Sequence, residues 1–284
     1  MADSSRIKLI AVDMDGTFLC DNKTYNRQRF IQQYQALKEK GIRFVVASGN
    51  QYTKLKSYFD DDFNDIAYVA DNGGYVHDGQ RELYVGEIPN SILARAYQFL
   101  ERLEQVSAVI CGHNGAYILN TASAEDLANA NKYYQHHEAI NSYGDINDTA
   151  IKIALRMPAD IHDAVLAQAN EQLGDVLVPV TSGHEWMDLI MPGIHKAHGI
   201  QLLQEQWGIA DHEIAAFGDS GNDMEMLEKA AFSFAMDNAN HHVQSVARYK
   251  APGNNHEGVL HVIDYILAEE ADNDVLNQIF GKSA

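Results

Sequence analysis

Short apolar runs that end abruptly in Asp, Ser, Asn or Gly set the terms on which this chain can fold. Ile7-Lys8-Leu9-Ile10-Ala11-Val12, Ile42-Arg43-Phe44-Val45-Val46-Ala47, residues 66–70 and Ile214-Ala215-Ala216-Phe217 have the length of strands and the near-continuous hydrophobicity of strands covered on both faces. Amphipathic helical patterns separate them at residues 26–40 and 51–59. Strands of this kind alternating with helices predict an α/β fold: a doubly wound, Rossmann-like parallel sheet whose carboxyl edge is the place for a ligand.

That alternation is interrupted. Residues 74–86 read as a hairpin turning at His77-Asp78-Gly79-Gln80. From 87 to 190 a second rhythm runs: helix 91–105, strands 107–111 and 116–119, helix 124–137, strand 150–156, helix 160–173, and strands 176–180 and 186–190. The first rhythm then resumes with helix 196–207, strand 214–217, helix 223–230, strand 232–235 and helix 260–269. The expected organisation is a core of residues 1–86 and 191–284 with an inserted α/β cap over 87–190, joined by short hinges near Glu87 and Pro192.

Chemistry gathers at the ends of the core strands. Behind the first comes Asp13-Met14-Asp15-Gly16-Thr17, two carboxylates on a turn that Gly16 can make tight. One carboxylate attacking phosphorus, another moving a proton and a divalent cation offsetting the crowded charge would suit those residue types. The glycine falls too early for a calcium loop of the EF-hand kind. Behind the second strand, Ser48-Gly49-Asn50 offers a hydroxyl and amides to phosphate oxygens, with Ser48 as the oxyanion contact. In Gly193-Ile194-His195-Lys196-Ala197-His198, Lys196 opens a helix and can supply positive charge. In Gly218-Asp219-Ser220-Gly221-Asn222-Asp223, Asp219 is the natural remaining metal ligand. Alone, each segment has an ordinary explanation as a turn, a surface lysine or a capped helix start, with Asp223 as cap. The ordered set is what points to a site.

Those four segments, with Asp71-Asn72-Gly73-Gly74, resemble the haloacid dehalogenase (HAD) superfamily of aspartyl-nucleophile phosphatases, specifically its Cof-type branch (subclass IIB). Val180-Thr181-Ser182-Gly183 and Asn254-Asn255-His256-Glu257-Gly258 extend the likeness to sugar phosphatases of that branch over nearly the whole chain. The resemblance implies Mg2+-dependent hydrolysis of phosphate monoesters, most of all hexose, pentose and tetrose phosphates. It makes Asp13 the nucleophile that forms an aspartyl-phosphate and Asp15 the general acid and later base. Asp13, the Asp15 carbonyl and Asp219 would hold magnesium. Ser48, Gly49, Lys196 and Asn222 would bind phosphate or substrate, and Asp223 would orient Lys196. Lys196-Ala197 replaces the branch's usual Lys-Gly. A phosphomutase or phosphotransferase would use the same aspartates. A phosphoaspartate switch or sugar-phosphate sensor is the non-catalytic alternative, disfavoured by the insertion and by Asp15.

A formal charge of −19 argues against nucleic acid or an anionic membrane as partner. No Gly-x-x-x-x-Gly-Lys-[Ser/Thr] loop occurs, which speaks against nucleotide hydrolysis of that type. Two cysteines without disulfide or zinc spacing, no secretion signal and no run long enough to span a bilayer lead to the expectation of a cytoplasmic enzyme acting on small molecules. Oligomeric state is not written in the sequence. Cys20 is expected to be a small buried side chain. His195 and His198 flank Lys196 and are candidates to reach the cleft, whereas His136-His137 and His241-His242 lack metal-site spacing. In the cap, Cys111-Gly112-His113-Asn114-Gly115 and Thr181-Ser182-Gly183-His184 are candidate sugar-hydroxyl contacts, with His113 and His184 foremost.

Overall fold

The computed structural model describes residues 7–181, 185–268 and 280–281. Fourteen strands among the described residues form two sheets. In chain order they are β1 (Leu9–Val12), β2 (Arg43–Ala47), β3 (Ala67–Ala70), β4 (Tyr75–His77), β5 (Glu82–Val85), β6 (Ser107–Gly112), β7 (Ala116–Leu119), β8 (His137–Ile140), β9 (Ala150–Arg156), β10 (Val178–Thr181), β11 (Trp186–Ile190), β12 (Ile214–Gly218), β13 (Phe232–Met236) and β14 (Tyr249–Ala251). The first sheet runs β14-β13-β12-β1-β2-β3-β4-β5, parallel from β14 to β3 and closed at its edge by the antiparallel hairpin β4-β5.

Both faces of this sheet are covered, which is why its strands read as continuous apolar runs. Ile10 and Val12 of β1 face helices Arg27–Glu39 and Gly258–Leu267 through Phe30, Leu37, Val259 and Ile263. Leu9 and Ala11 face helices Lys196–Trp207 and Met224–Lys229 through Ile200, Leu203, Met226 and Leu227. Val12 pairs with both Val46 and Phe217, so β1, β2 and β12 end in register and present Asp13, Ser48 and Asp219 at one edge.

The second sheet, β10-β11-β9-β6-β7-β8, is formed by the part of the chain between β5 and β12 and is antiparallel except where β7 meets β8. Strand alternation gives it two characters. Ile153, Leu155, Met187 and Leu189 pack under helices Asn90–Leu100 and His162–Leu173. Lys152, Ala154, Trp186 and Asp188 point the other way, towards Asp13.

Two expected helices end early, the first of them, placed at 91–105, at Leu100. The helix placed at 124–137 ends at Tyr133, because His137–Ile140 leaves it to pair with the free edge of β7 as β8. The structure also adds helix His241–Val246 and edge strand β14, which the apolar pattern does not mark because the helix buries only Val243.

An aromatic cluster fixes the first helix to the sheet. Phe30 is fully buried, stacks on Phe63 at 5.2 Å and meets Phe18 and Phe44 at 4.9 and 4.8 Å. Phe30→Ala is therefore expected to cost about 3–5 kcal/mol of stability. Urea denaturation followed by circular dichroism checks this.

Candidate active site

Asp13 leaves β1 with its N–H bonded to the Phe217 carbonyl of β12 at 3.1 Å, so the backbone hands its side chain to the sheet edge. The chain then turns at Gly16, whose φ is +81° and where a Cβ would stand 2.6 Å from Asp219 Oδ2. Glycine is required there by conformation and by space. Thr17 Oγ1 donates to Asp219 Oδ1 at 2.8 Å, tying the first motif to the last.

Lys196 occupies the centre. It is the first residue of its helix, where the helix dipole disfavours a cation, and it is wholly buried. Its ammonium donates to Asp13 Oδ1 at 2.6 Å and Asp223 Oδ1 at 2.7 Å. Burial works against the charge, but Asp13 and Asp223 outweigh it and hold the ammonium above the ordinary lysine range. Asp223 Oδ2 accepts from the Asp219 and Ser220 amides, each at 3.0 Å, so both its oxygens are engaged. Asp223 thus orients Lys196 instead of capping its helix with its side chain.

Asp13, Asp219 and Asp223 bring one carboxylate oxygen each within 4.8 Å of one another. Three carboxylates against the single ammonium of Lys196 leave an excess of negative charge. Burial, with Asp223 and Asp219 adding to it, pushes Asp13 well above the usual carboxylate range, and burial followed by Asp223 pushes Asp219 up to about 7. The cluster fits a hard divalent cation, with Asp13 and Asp219 better placed to hold it than the fully engaged Asp223.

Asp15 stands at the cavity mouth. Lys23 donates to its Oδ1 and Asn50 Nδ2 to its Oδ2, both at 2.6 Å. Ser48 is buried, and its Oγ accepts from the Asn50 amide at 3.2 Å. Asn222 donates to Asn72 Oδ1 at 2.9 Å. Asp13, Asp15, Ser48, Gly49, Asp219 and Asn222 all line one cavity of about 350 Å³, with Lys196 beneath it. The second sheet and its helix close the far side with Tyr133, Tyr134, Lys152, Trp186 and Asp188.

Other candidates fall elsewhere. His113 pairs with Glu82 at 2.7 Å and borders a separate small cavity beside Tyr52, because Gln51 draws its loop onto the first sheet through the Gly112 and Gly115 carbonyls. Thr181 does not line the main cavity, and Ser182, Gly183 and His184 lie outside the described residues. His195 Nδ1 accepts from the His198 amide at the helix start, and His198 packs edge-on against Tyr84, so neither lines the cavity. Cys20 is partly exposed, with its thiol towards the Asn254 carbonyl. Lys23, Lys152 and Asp188 are absent from the sequence candidates, and Asn50 enters there only through its backbone amide, not through its side chain on Asp15. A signal existed for two of them: Lys152 and Asp188 are charged residues in the middle of otherwise apolar strands, in phase with the face that meets the cavity.

The sequence profile of the haloacid dehalogenase-like hydrolases matches residues 10–263. The chain belongs to that family. Over 268 residues it is 46% identical to the 5-amino-6-(5-phospho-D-ribitylamino)uracil phosphatase YbjI of Escherichia coli, covering 94% of this chain and 99% of that one. The structure of SMU.1108c from Streptococcus mutans superposes with a TM-score of 0.88 at 32% identity, over 92% of this chain and 99% of that one. The HAD subclass IIB sugar phosphatase BT4131 shares the fold, with a TM-score of 0.78 at 20% identity over 91% and 98% of the two chains. The resemblance carried by the sequence motifs and the α/β fold class expected from the strand pattern both hold.

The charge balance sets a pH dependence. Asp219, raised from 3.8 to about 7, favours folding most below its unfolded value, and that contribution is lost as pH rises through 7. A divalent cation that binds Asp13 and Asp219 takes the proton's place. Saturating magnesium is therefore expected to raise Tm more at about pH 8 than at about pH 5.5. Equal increments in thermal melts at the two pH values would remove these carboxylates as the binding site.

Proposed function

We propose that this protein is a magnesium-dependent phosphatase that hydrolyses phosphate monoesters of sugars and sugar alcohols through an aspartyl-phosphate on Asp13. The observation that carries the reading is the buried Lys196 bridging Asp13 and Asp223 beneath a cavity lined by Ser48, Gly49 and Asp15. Lys196 balances negative charge where a phosphoryl group would arrive, and it keeps Asp13 fixed for attack. Magnesium, held by the Asp13 and Asp219 carboxylates and the Asp15 carbonyl, would supply the remaining positive charge against the incoming dianion.

Asp13 attacks phosphorus as the bond to the ester oxygen breaks, and Asp15 gives that oxygen its proton. Asp15 then takes a proton from the water that attacks the aspartyl-phosphate, which releases inorganic phosphate and restores Asp13. Lys23 and Asn50, bonded to the two Asp15 oxygens, hold its carboxylate at the mouth, where leaving group and water both pass. Ser48, Gly49 and Asn222 receive the phosphoryl oxygens.

The far wall favours a second feature of the substrate. Tyr133 and Trp186 meet edge-to-face at 5.5 Å beside Tyr134, an aromatic surface suited to a flat ring. The E. coli relative is named for a phosphate whose ribityl chain carries a uracil. A ribityl phosphate bearing such a ring accordingly stands beside the simple pentose and hexose phosphates as a candidate substrate.

Phosphate release with magnesium from a panel of sugar, sugar-alcohol and ring-bearing monophosphates tests the reading. Asp13→Asn is expected to reduce release to background with Tm little changed. Residual turnover at the wild-type rate would remove Asp13 from the mechanism, and transfer of phosphate to a sugar without net release would favour a phosphotransferase. Trp186→Ala is expected to raise KM by about tenfold for ring-bearing substrates and to leave compact pentose phosphates unaffected.

A further inference from the structure

We propose that Lys152 is a positioning residue for phosphoryl transfer, which from the second sheet fixes the peptide joining Gly49 and Asn50 in the phosphate-binding loop. The proposal rests on the phosphatase reading above. Lys152 sits in the middle of β9 between Ile151 and Ile153 and is 3% exposed. Its ammonium donates to the Gly49 carbonyl, in the loop that follows β2 of the opposite sheet, and to Asp188 Oδ2 of β11 at 3.1 Å, with Asp71 Oδ1 at 3.8 Å.

A buried charge is a poor source of stability, since apolar side chains of similar volume serve as well or better. What Lys152 touches gives its charge a use. In a trans peptide the carbonyl and the following N–H point in opposite directions. The Lys152 bond to the Gly49 carbonyl therefore sets the Asn50 N–H, which donates to Ser48 Oγ at 3.2 Å. With an N–H already on its oxygen, the Ser48 hydroxyl keeps its own hydrogen for a phosphoryl oxygen. The same residue, Asn50, holds Asp15 through its side chain at 2.6 Å. One bond across the gap thus steadies Ser48 and, through Asn50, the proton-handling carboxylate.

Asp188 makes a second arm. Its Oδ2 also accepts from Asn72 Nδ2 at 2.6 Å, and Asn72 Oδ1 accepts from Asn222. Asn72 is held at φ 55° beside Asp71 at 49°, two successive non-glycine residues in a conformation that ordinarily costs free energy. The arms converge at Gly49, where a Cβ would lie 3.3 Å from both Asn72 Oδ1 and Asp188 Oδ2. The phosphate end of the site is therefore completed only when the second sheet is seated on the first.

The test compares full-length wild type, Lys152→Met and the double variant Lys152→Met/Asp188→Asn by steady-state release of p-nitrophenol from p-nitrophenyl phosphate, with thermal melts alongside. Lys152→Met leaves Asp188 unpaired and is expected to lower both Tm and kcat. The double variant removes one charge of each sign and keeps an acceptor for Asn72, so its Tm is expected to return towards wild type. Its kcat should stay about 10²-fold down with KM within about threefold, because the Gly49 carbonyl still lacks its donor. Recovery of wild-type kcat in the double variant would show that Lys152 only neutralises Asp188 and would overturn the proposal. An active wild type with full-rate variants sinks this inference alone. A wild type that releases no phosphate from any monoester sinks the phosphatase reading first.

Discussion

The buried ammonium of Lys196 is the contact on which the rest of the site depends. Without it, Asp13, Asp219 and Asp223 would crowd negative charge into a largely buried space, and attraction between opposite charges strengthens as solvent is excluded. With it, three segments more than twenty residues apart are drawn to one point: the end of β1, the start of helix Lys196–Trp207 and the turn after β12. The lysine is held at a helix start that offers it no favourable dipole, so the carboxylates alone account for its position. The residual negative charge is what makes the same cluster receptive to a divalent cation.

Around that centre, the two sheets divide the labour. The first has apolar residues on both faces and therefore a rigid carboxyl edge, where parallel strands in register place Asp13, Ser48 and Asp219 side by side. The second has one apolar face and one that mixes Lys152, Asp188, Trp186 and Ala154. It contributes polar and aromatic side chains without contributing the carboxylates that form the centre. On the proposed function, most of the groups that would meet the phosphoryl oxygens sit on the first sheet, and the second offers the aromatic surface that would meet the rest of the substrate.

Long-range polar contacts join the halves more specifically than apolar burial would. Asn72, Asn222 and Asp188 form a continuous chain of hydrogen bonds, and each donor has a geometric direction that hydrophobic packing lacks. Gly49 marks where this network demands space, and Gly16 where the Asp219 carboxylate does: at both positions a side chain would intrude on carboxylate or amide oxygens. Tight convergence of charged groups explains why these glycines fall next to the acidic and hydroxyl residues in the sequence.

Much of the centre was legible in the sequence because it is local. The burial pattern of each of these strands extends over four or five residues, and the residues following it must emerge at the sheet edge, so Asp13, Ser48 and Asp219 could be placed from their neighbours alone. His113 could not: its polar turn reads as a cavity contact, yet Gln51, some sixty residues away, decides where it docks. Residues 137–140 likewise became a strand because an edge of β7 needed a partner, which outweighed helical continuation from 124. Lys23 and Asn50 on Asp15, and Lys152 on Gly49, came from the tertiary structure alone. Sequence by itself determined which chemical groups stand at the strand ends, since backbone periodicity acts over short range. Which cations and amides face them was decided only when distant segments packed, since a hydrogen bond depends on distance and direction in space.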